Sequence, residues 1–171
     1  MRKSAFTKFL ENLESDELKE ELLLLYDKVP GVKAYYKMEL GTDEERAKLY
    51  IGIKKQITSC YATRSLRRPR RPRIRKVQSI LSLAKKDAIY DYELADVYLF
   101  NTEKAIEFMT KYGFYSEALS NTIRKSFEKA IHLIKLSLTE DMFRDRIKAI
   151  TSNIFIDLFV RNELILLAKD F

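Results

Sequence analysis

The sequence predicts an all-α protein, a bundle of six to eight antiparallel helices in two packed helical layers. Large apolar residues recur at three- and four-residue spacing along most of the 171 residues. Only four glycines and three prolines occur, and no Asn-Gly or Asp-Gly pair is present to form a hairpin turn. An apolar content of 46% and a charged content of 33% are typical of a soluble globular chain.

The N-terminal segments are short and end at recognisable signals. An amphipathic segment covers 4–14, and Ser15 is a favoured N-cap for a helix that runs to about Val29. Leucines repeat at helical spacing along this second helix, so we expect Leu22 on a buried stripe. Pro30 favours the first position of a third helix, because its fixed φ angle suits a helix start.

A longer helix precedes the most basic part of the chain. Gly41 is the expected end of the third helix. The next residues, Thr42-Asp43-Glu44-Glu45, have the hydroxyl and glutamate spacing of a capping box. The helix that opens there extends to about Tyr61. Short loops predict that these first helices are antiparallel neighbours.

Four helical patterns follow the basic stretch. They cover 74–88, 91–112, 116–138 and a last segment from Thr139 to about Leu158. Gly113 is the expected stop of the second pattern. In the last, the run Ile150–Asn153 favours a bend or break, because Thr, Ser and Asn side chains compete with helical backbone hydrogen bonds.

The positive charge of the chain is concentrated in residues 64–76. This stretch holds seven arginines and one lysine without an acid, whereas the rest of the chain has 24 basic and 25 acidic residues. Pro69 and Pro72 exclude a helix interior, and residues that precede proline favour extended backbone. We therefore expect a stiff loop, the arginine connector, over 64–73.

The connector also suggests a domain organisation. We expect an N-terminal helical block over 1–63, the connector over 64–73 and a C-terminal helical block over 74–171, together in one compact domain. The eight cations of the basic stretch are the candidate anion- or nucleic-acid-binding residues: Arg64, Arg67, Arg68, Arg70, Arg71, Arg73, Arg75 and Lys76.

Three interpretations of the connector stay open at this point. Arginines can bind the phosphates of a nucleic acid in bidentate fashion, and proline would keep their side chains spread along the backbone. An acidic protein or an anionic membrane surface is also negatively charged and would be attracted by the same arginines. The third interpretation is structural, with the arginines pairing with acids of the helical blocks such as Glu11, Glu14 and Asp16.

The residues that most catalytic sites need are scarce. His132 is the single histidine, and its helical neighbours are mostly polar, so we expect it near a solvated face. Cys60 is the single cysteine; arginines nearby would lower its thiol pKa, but a buried helical cysteine is the favoured interpretation. No glycine-rich phosphate loop occurs. The sequence therefore identifies no reaction, no catalytic residue and no cofactor.

Paired acids are the remaining chemical candidates. Asp87 and Asp91 lie one turn apart in a continuous helix, and Glu93 and Asp96 lie three residues apart. Such pairs hold Mg²⁺ or perform acid–base catalysis in other proteins. The Glu-x-x-His pattern of di-iron bundles is missing, and acids are expected at a helix start for electrostatic reasons. We expect structural roles and no metal.

The chain shows no targeting or membrane signal. A lone cysteine fits a reducing compartment, and the N-terminal segment lacks the apolar core of a signal peptide. The longest apolar runs are far shorter than the roughly 18 residues of a membrane span. We expect a cytoplasmic protein.

The order of these segments resembles a known but uncharacterised family. A leucine-rich helix, the Pro30–Leu40 segment and a capped helix from Thr42 precede the basic connector; Tyr-Glu-Leu-Ala-Asp-Val-Tyr (92–98) and Phe-Glu-Lys-Ala-Ile-His-Leu-Ile (127–134) follow it. This arrangement resembles a family of small bacterial all-helical proteins, a domain of unknown function. The resemblance implies the helical fold and a bacterial cytoplasm, and it brings no activity.

Two functions follow as hypotheses. The favoured one is a non-enzymatic binding module whose connector engages an anionic partner, with a nucleic-acid backbone as the first choice and an acidic protein as the second. The alternative is a protein–protein interaction scaffold that uses an apolar groove between helices, with the arginines structural.

Overall fold

All regular secondary structure in the described part of the chain is helical. The computed structural model describes residues 3–65, 67, 69–87, 90–169 and 171, apart from the side chains of Ala34 and Asp87. In these residues nine α-helices and no strand occur. They are α1 (Lys3–Glu11), α2 (Ser15–Lys28), α3 (Pro30–Glu39), α4 (Asp43–Tyr61), α5 (Ile74–Asp87), α6 (Asp91–Tyr112), α7 (Glu117–Ser137), α8 (Glu140–Thr151) and α9 (Leu158–Leu167). The all-α prediction is confirmed.

The predicted stop at Gly113 and the predicted break near Ile150–Asn153 act where they were expected, whereas α3 ends at Glu39 with Leu40 as its C-cap, before the predicted stop at Gly41. Gly113 follows α6 with a left-handed φ of 58°, a conformation that glycine adopts without strain. The last helical pattern divides into α8 and α9, which is why the described residues form nine helices instead of the eight predicted. Asn153 and Asp157 stabilise the break, because their side chains accept hydrogen bonds from the backbone N–H groups of Phe155 and Phe159, each at 3.0 Å.

The chain divides into two compact units, residues 1–42 and residues 43–171. This division differs from the sequence-based one, which placed α4 in an N-terminal block before the connector. The difference arises because α4 packs against both α5 and α6. The connector is consequently a loop inside the second unit.

The first unit contains α1, α2 and α3 and has little core of its own. Leu22 is 49% exposed, so its expected burial is wrong, and among the described residues of this unit only Met38 is buried. The physical reason is that leucine occupies four consecutive positions, 22–25, which point around the helix instead of along one stripe. The cap of α2 is Glu14 instead of Ser15, and its backbone N–H donates to the Glu17 carboxylate at 2.8 Å.

The core of the second unit lies between α6 and α7, the pair with the most extensive contact. The short loop after Gly113 makes these two helices antiparallel neighbours. Their facing stripes are fully buried, with Leu99, Met109, Ile123 and Phe127 inaccessible to solvent. Helices α4 and α5 pack against α6, while α8 and α9 pack against α7.

A chain of buried hydrogen bonds crosses this core. The Tyr61 hydroxyl, at the last residue of α4, donates to Asn101 Oδ1 at 2.9 Å. The Asn101 side-chain amide, on α6, donates to Ser126 Oγ on α7 at 2.8 Å. Burial raises the pKa of Tyr61, so the phenol stays protonated and remains a donor. These two bonds connect α4, α6 and α7 inside the core.

Removing a core ring should test this architecture. Phe127→Ala leaves a cavity where no solvent reaches, and we expect a loss of about 3–5 kcal/mol in the free energy of unfolding. Urea unfolding followed by circular dichroism measures it. Leu136→Ala on the same helix is the matched control, because Leu136 is 60% exposed and its truncation should cost little. Equal losses in the two variants would contradict the α6–α7 packing.

Candidate nucleic-acid interface

The arginine connector begins and ends at the same point of the fold. The backbone N–H of Arg73 donates to the carbonyl of Cys60 at 3.1 Å, and its guanidinium donates to the carbonyl of Ser59 at 2.5 Å. Carbonyls in the last turn of a helix lack helical partners and carry partial negative charge, so a guanidinium stabilises them. Arg73 therefore closes the loop against the end of α4.

A second set of hydrogen bonds shapes the start of the loop. The Thr63 hydroxyl accepts from the backbone N–H of Arg70 at 3.0 Å and donates to the carbonyl of Ser65 at 3.3 Å. Pro69, which precedes Arg70, and Pro72 restrict the backbone between these two anchors. The connector thus folds back on itself instead of separating α4 from α5, which contact each other.

Most of the predicted cations lie in solvent. Arg68 is outside the described residues, and Arg73 is partly buried because it closes the loop. The exposed ones are Arg64, Arg67, Arg70, Arg71, Arg75 and Lys76. Among the described residues of 43–171, no carboxylate lies within ion-pair distance of these six side chains. They form a concentrated surface of positive charge, which we call the connector surface.

The predicted acid pairs have different surroundings. Asp91 is exposed at the start of α6, and the side chain of Asp87 is outside the described residues. Asp96 accepts hydrogen bonds from Lys54 on α4 at 2.5 Å and from Arg146 on α8 at 2.6 Å. Its charge is therefore balanced by two cations, an environment that suits an ion-pair network better than an Mg²⁺ ligand.

Asp96 belongs to a polar network that joins three helices. Arg146 also forms a bidentate pair with Glu103, with hydrogen bonds of 2.8 and 3.1 Å. Burial alone would lower the pKa of Arg146, but its hydrogen bonds to Glu103 and Asp96 outweigh that effect and raise the pKa. The network lines a cleft of about 400 Å³ between α4, α6 and α8.

Glu93 lies in the same cleft and is held differently. Its carboxylate is 3.7 Å from the Arg46 guanidinium, and both side chains are largely buried. Burial raises the pKa of Glu93, although the neighbouring Tyr50 hydroxyl and the Arg46 charge act in the opposite direction. Burial, reinforced by the Glu93 charge, also raises the pKa of Tyr50.

The remaining chemical candidates follow the sequence-based expectations. His132 is exposed on α7, and Cys60 is buried, with 2% of its surface accessible. Among the tyrosines of the second unit, Tyr98 is buried and Tyr115 is 59% exposed. Tyr112 is partly exposed in a pocket beside the connector.

The described residues show neither a metal cluster nor a membrane-spanning helix. No group of three or more His, Cys, Asp or Glu side chains there has the geometry to hold a metal ion. None of the helices there combines the length and apolar character that crossing a bilayer requires.

Sequence reasoning missed most of the polar network. Lys54, Glu103 and Arg146 carry no local pattern that distinguishes them from surface charges. The partners Lys54 and Asp96 are 42 residues apart in the chain, and Asp96 and Arg146 are 50 apart. The one available signal is that Glu93, Asp96 and Glu103 lie on a common face of α6 at helical spacing.

The fold and the connector surface define a class of protein: a small all-helical protein with a closed, arginine-rich loop between two contacting helices. Residues 1–165 match the model of a family of unknown function, DUF6155, and the chain belongs to this family. The chain matches no curated protein and no solved structure.

The raised pKa of Glu93 predicts how pH acts on stability. Because folding favours the protonated carboxyl, Glu93 stabilises the fold below its ordinary pKa of 4.5, and that contribution is lost as pH rises through the folded pKa. We therefore expect the free energy of unfolding of Glu93→Gln, relative to wild type, to increase between pH 4 and pH 7. Urea unfolding at several pH values measures this.

Glu103→Gln is the control on the same face of α6. Glu103 accepts two hydrogen bonds from Arg146, and both side chains are about one-third exposed. We expect a loss of about 1 kcal/mol at pH 7, because the charge-assisted pair is partly screened by solvent. A Glu93→Gln variant that loses stability relative to wild type as pH rises would contradict the assignment for Glu93.

Proposed function

We propose that the protein is a non-enzymatic binding module of the bacterial cytoplasm whose connector surface engages the phosphate backbone of a nucleic acid. The observation that carries the proposal is the set of six exposed cations without a carboxylate partner in the described residues of 43–171. Unpaired surface charge at this density attracts a polyanion.

The chemistry of the side chains suits phosphates. A guanidinium offers a planar fork of donors that binds phosphate oxygens in bidentate fashion, and it stays charged at every physiological pH. The closing bonds of Arg73 and Thr63 restrict the loop before binding, which lowers the entropy lost when a partner is held. Such contacts position a nucleic acid without reading its sequence.

An acidic protein is the second anionic partner that this surface suits. It differs from a nucleic acid in charge spacing, since duplex DNA carries one negative charge per roughly 1.7 Å of its axis. Competition between polyphosphate chains, acidic peptides and nucleic acid for the connector surface distinguishes these partners.

A protein–protein scaffold is the other candidate function, and one observation favours it. Four large apolar side chains around the start of α9 are 68–72% exposed: Ile154, Phe155, Leu158 and Phe159. Exposed apolar clusters of this kind mark interaction surfaces in many proteins. A stable complex that is insensitive to salt would support this function over the first.

The proposed function makes a quantitative prediction about salt. Replacement of Arg64, Arg67, Arg70 and Arg71 by Gln should weaken binding to all nucleic-acid sequences alike. Each lost phosphate contact removes about 0.7–0.9 from the slope of log affinity against log salt, so the slope should flatten by about three. Fluorescence anisotropy with mixed-sequence oligonucleotides over a series of salt concentrations measures this.

A control variant with the same net charge separates local from global effects. Replacement of Lys85, Lys86, Lys125 and Lys148 by Gln removes four exposed cations outside the connector. We expect it to retain most of the slope, and both variants to melt close to wild type, since exposed charges contribute little stability. Equal flattening in the two variants would contradict a localised site. If the connector variant melts many degrees below wild type, and wild type itself binds no nucleic acid, the arginines have a structural role.

A further inference from the structure

A small pocket opens beside the connector, between the end of α4 and the second half of α6. Its walls include the rings of Phe108 and Tyr112 and the side chains of Thr58 and Thr63. Its volume is about 190 Å³, which is below the roughly 300–1,000 Å³ of pockets that take drug-sized ligands. The pocket therefore suits one small ring system instead of a larger molecule.

The charges around the pocket are mostly positive. Lys104 and Lys111 line it together with one acid, Glu107, which pairs with Lys104 at 2.6 Å. The Lys111 ammonium lies 5.6 Å from the centre of the Tyr112 ring. The Tyr112 side chain is itself partly exposed, so a group arriving from solvent can reach its ring.

The pocket and the connector surface share a wall. Thr63 lines the pocket, and its hydroxyl accepts the hydrogen bond from the backbone N–H of Arg70. Arg64, an exposed cation, is the next residue in the chain. A strand held by its phosphates on the connector surface therefore passes within reach of an aromatic pocket.

We propose that this pocket receives one unpaired base of a single-stranded nucleic acid whose phosphates lie on the connector surface. The inference rests on the function proposed above and adds the class of nucleic acid. Bases stack on aromatic side chains whatever their identity. A base inside a duplex is stacked between its neighbours and reaches a pocket only if it is extruded, so the pocket favours single strands whereas phosphate contacts alone do not.

The test compares single strands with a duplex of equal length. Labelled oligothymidylate and oligouridylate are titrated with the whole protein at one salt concentration, beside a blunt duplex. We expect the wild type to bind the single strands about tenfold more tightly, at the lower end of what one stacked base contributes. Tighter binding of either single strand than of the duplex supports the proposed pocket. The difference in affinity between oligothymidylate and oligouridylate shows whether DNA or RNA is preferred.

Tyr112→Leu removes the stacking ring and leaves every connector cation in place. We expect it to bind single strands about tenfold more weakly, with duplex binding and the salt slope unchanged, because no phosphate contact is lost. Tyr115→Leu is the matched control, since Tyr115 is an exposed tyrosine that lies outside this pocket. It should bind as wild type.

Thr58→Leu is a second variant in case Tyr112→Leu does not fold. The Thr58 hydroxyl donates to the carbonyl of Lys54 in its own helix, and no described residue of another helix bonds to it, so the larger side chain enters the pocket without the loss of such a bond. We expect the same loss of affinity for single strands.

Two results would overturn this inference and leave the connector function standing. In the first, the wild type binds duplex as tightly as single strands. In the second, folded pocket variants bind single strands as tightly as the wild type does. No binding to either polymer would overturn both.

Discussion

The buried hydrogen bonds from Tyr61 through Asn101 to Ser126 determine where the rest of the second unit can lie. A buried polar group that loses its partner destabilises a protein by about 1–3 kcal/mol, so three helices must meet in the register that satisfies all of these groups. Apolar packing alone tolerates small shifts of one helix along another, whereas these bonds do not. They therefore fix the end of α4 against α6 and α7.

The position of the connector follows from that constraint, because Tyr61 is also the last residue of α4. The loop leaves the helix one residue later and returns to it through the hydrogen bonds that Arg73 makes with Ser59 and Cys60. The partly buried Arg73 guanidinium stabilises the helix end, which separates Arg73 from its exposed neighbours. The connector cations are alike in the sequence, but in the fold Arg73 closes the loop whereas its neighbours are exposed to solvent.

Local signals were sufficient to predict most of the helices but not their partners. Gly113 and Pro30 act through their own backbone geometry, so their effect is visible in the sequence. Whether a residue such as Leu22 is buried depends on its neighbours in the fold, and Leu22 is 49% exposed; the bonds of Arg146 join residues more than 40 positions apart. For the same reason the pocket beside the connector could not be predicted, since Tyr112 and Thr63 are brought together only by the packing of α4 on α6.

The distribution of ion pairs explains how one loop retains an excess of positive charge. Lys54 and Arg146 both pair with Asp96 on α6, so cations elsewhere in the second unit are partly neutralised inside the fold. The connector holds no acid of its own, and three acids of α6, Glu93, Asp96 and Glu103, pair with cations of α4 and α8. Because no carboxylate in the described residues of 43–171 pairs with the six exposed connector cations, their charge faces solvent beside the end of α4.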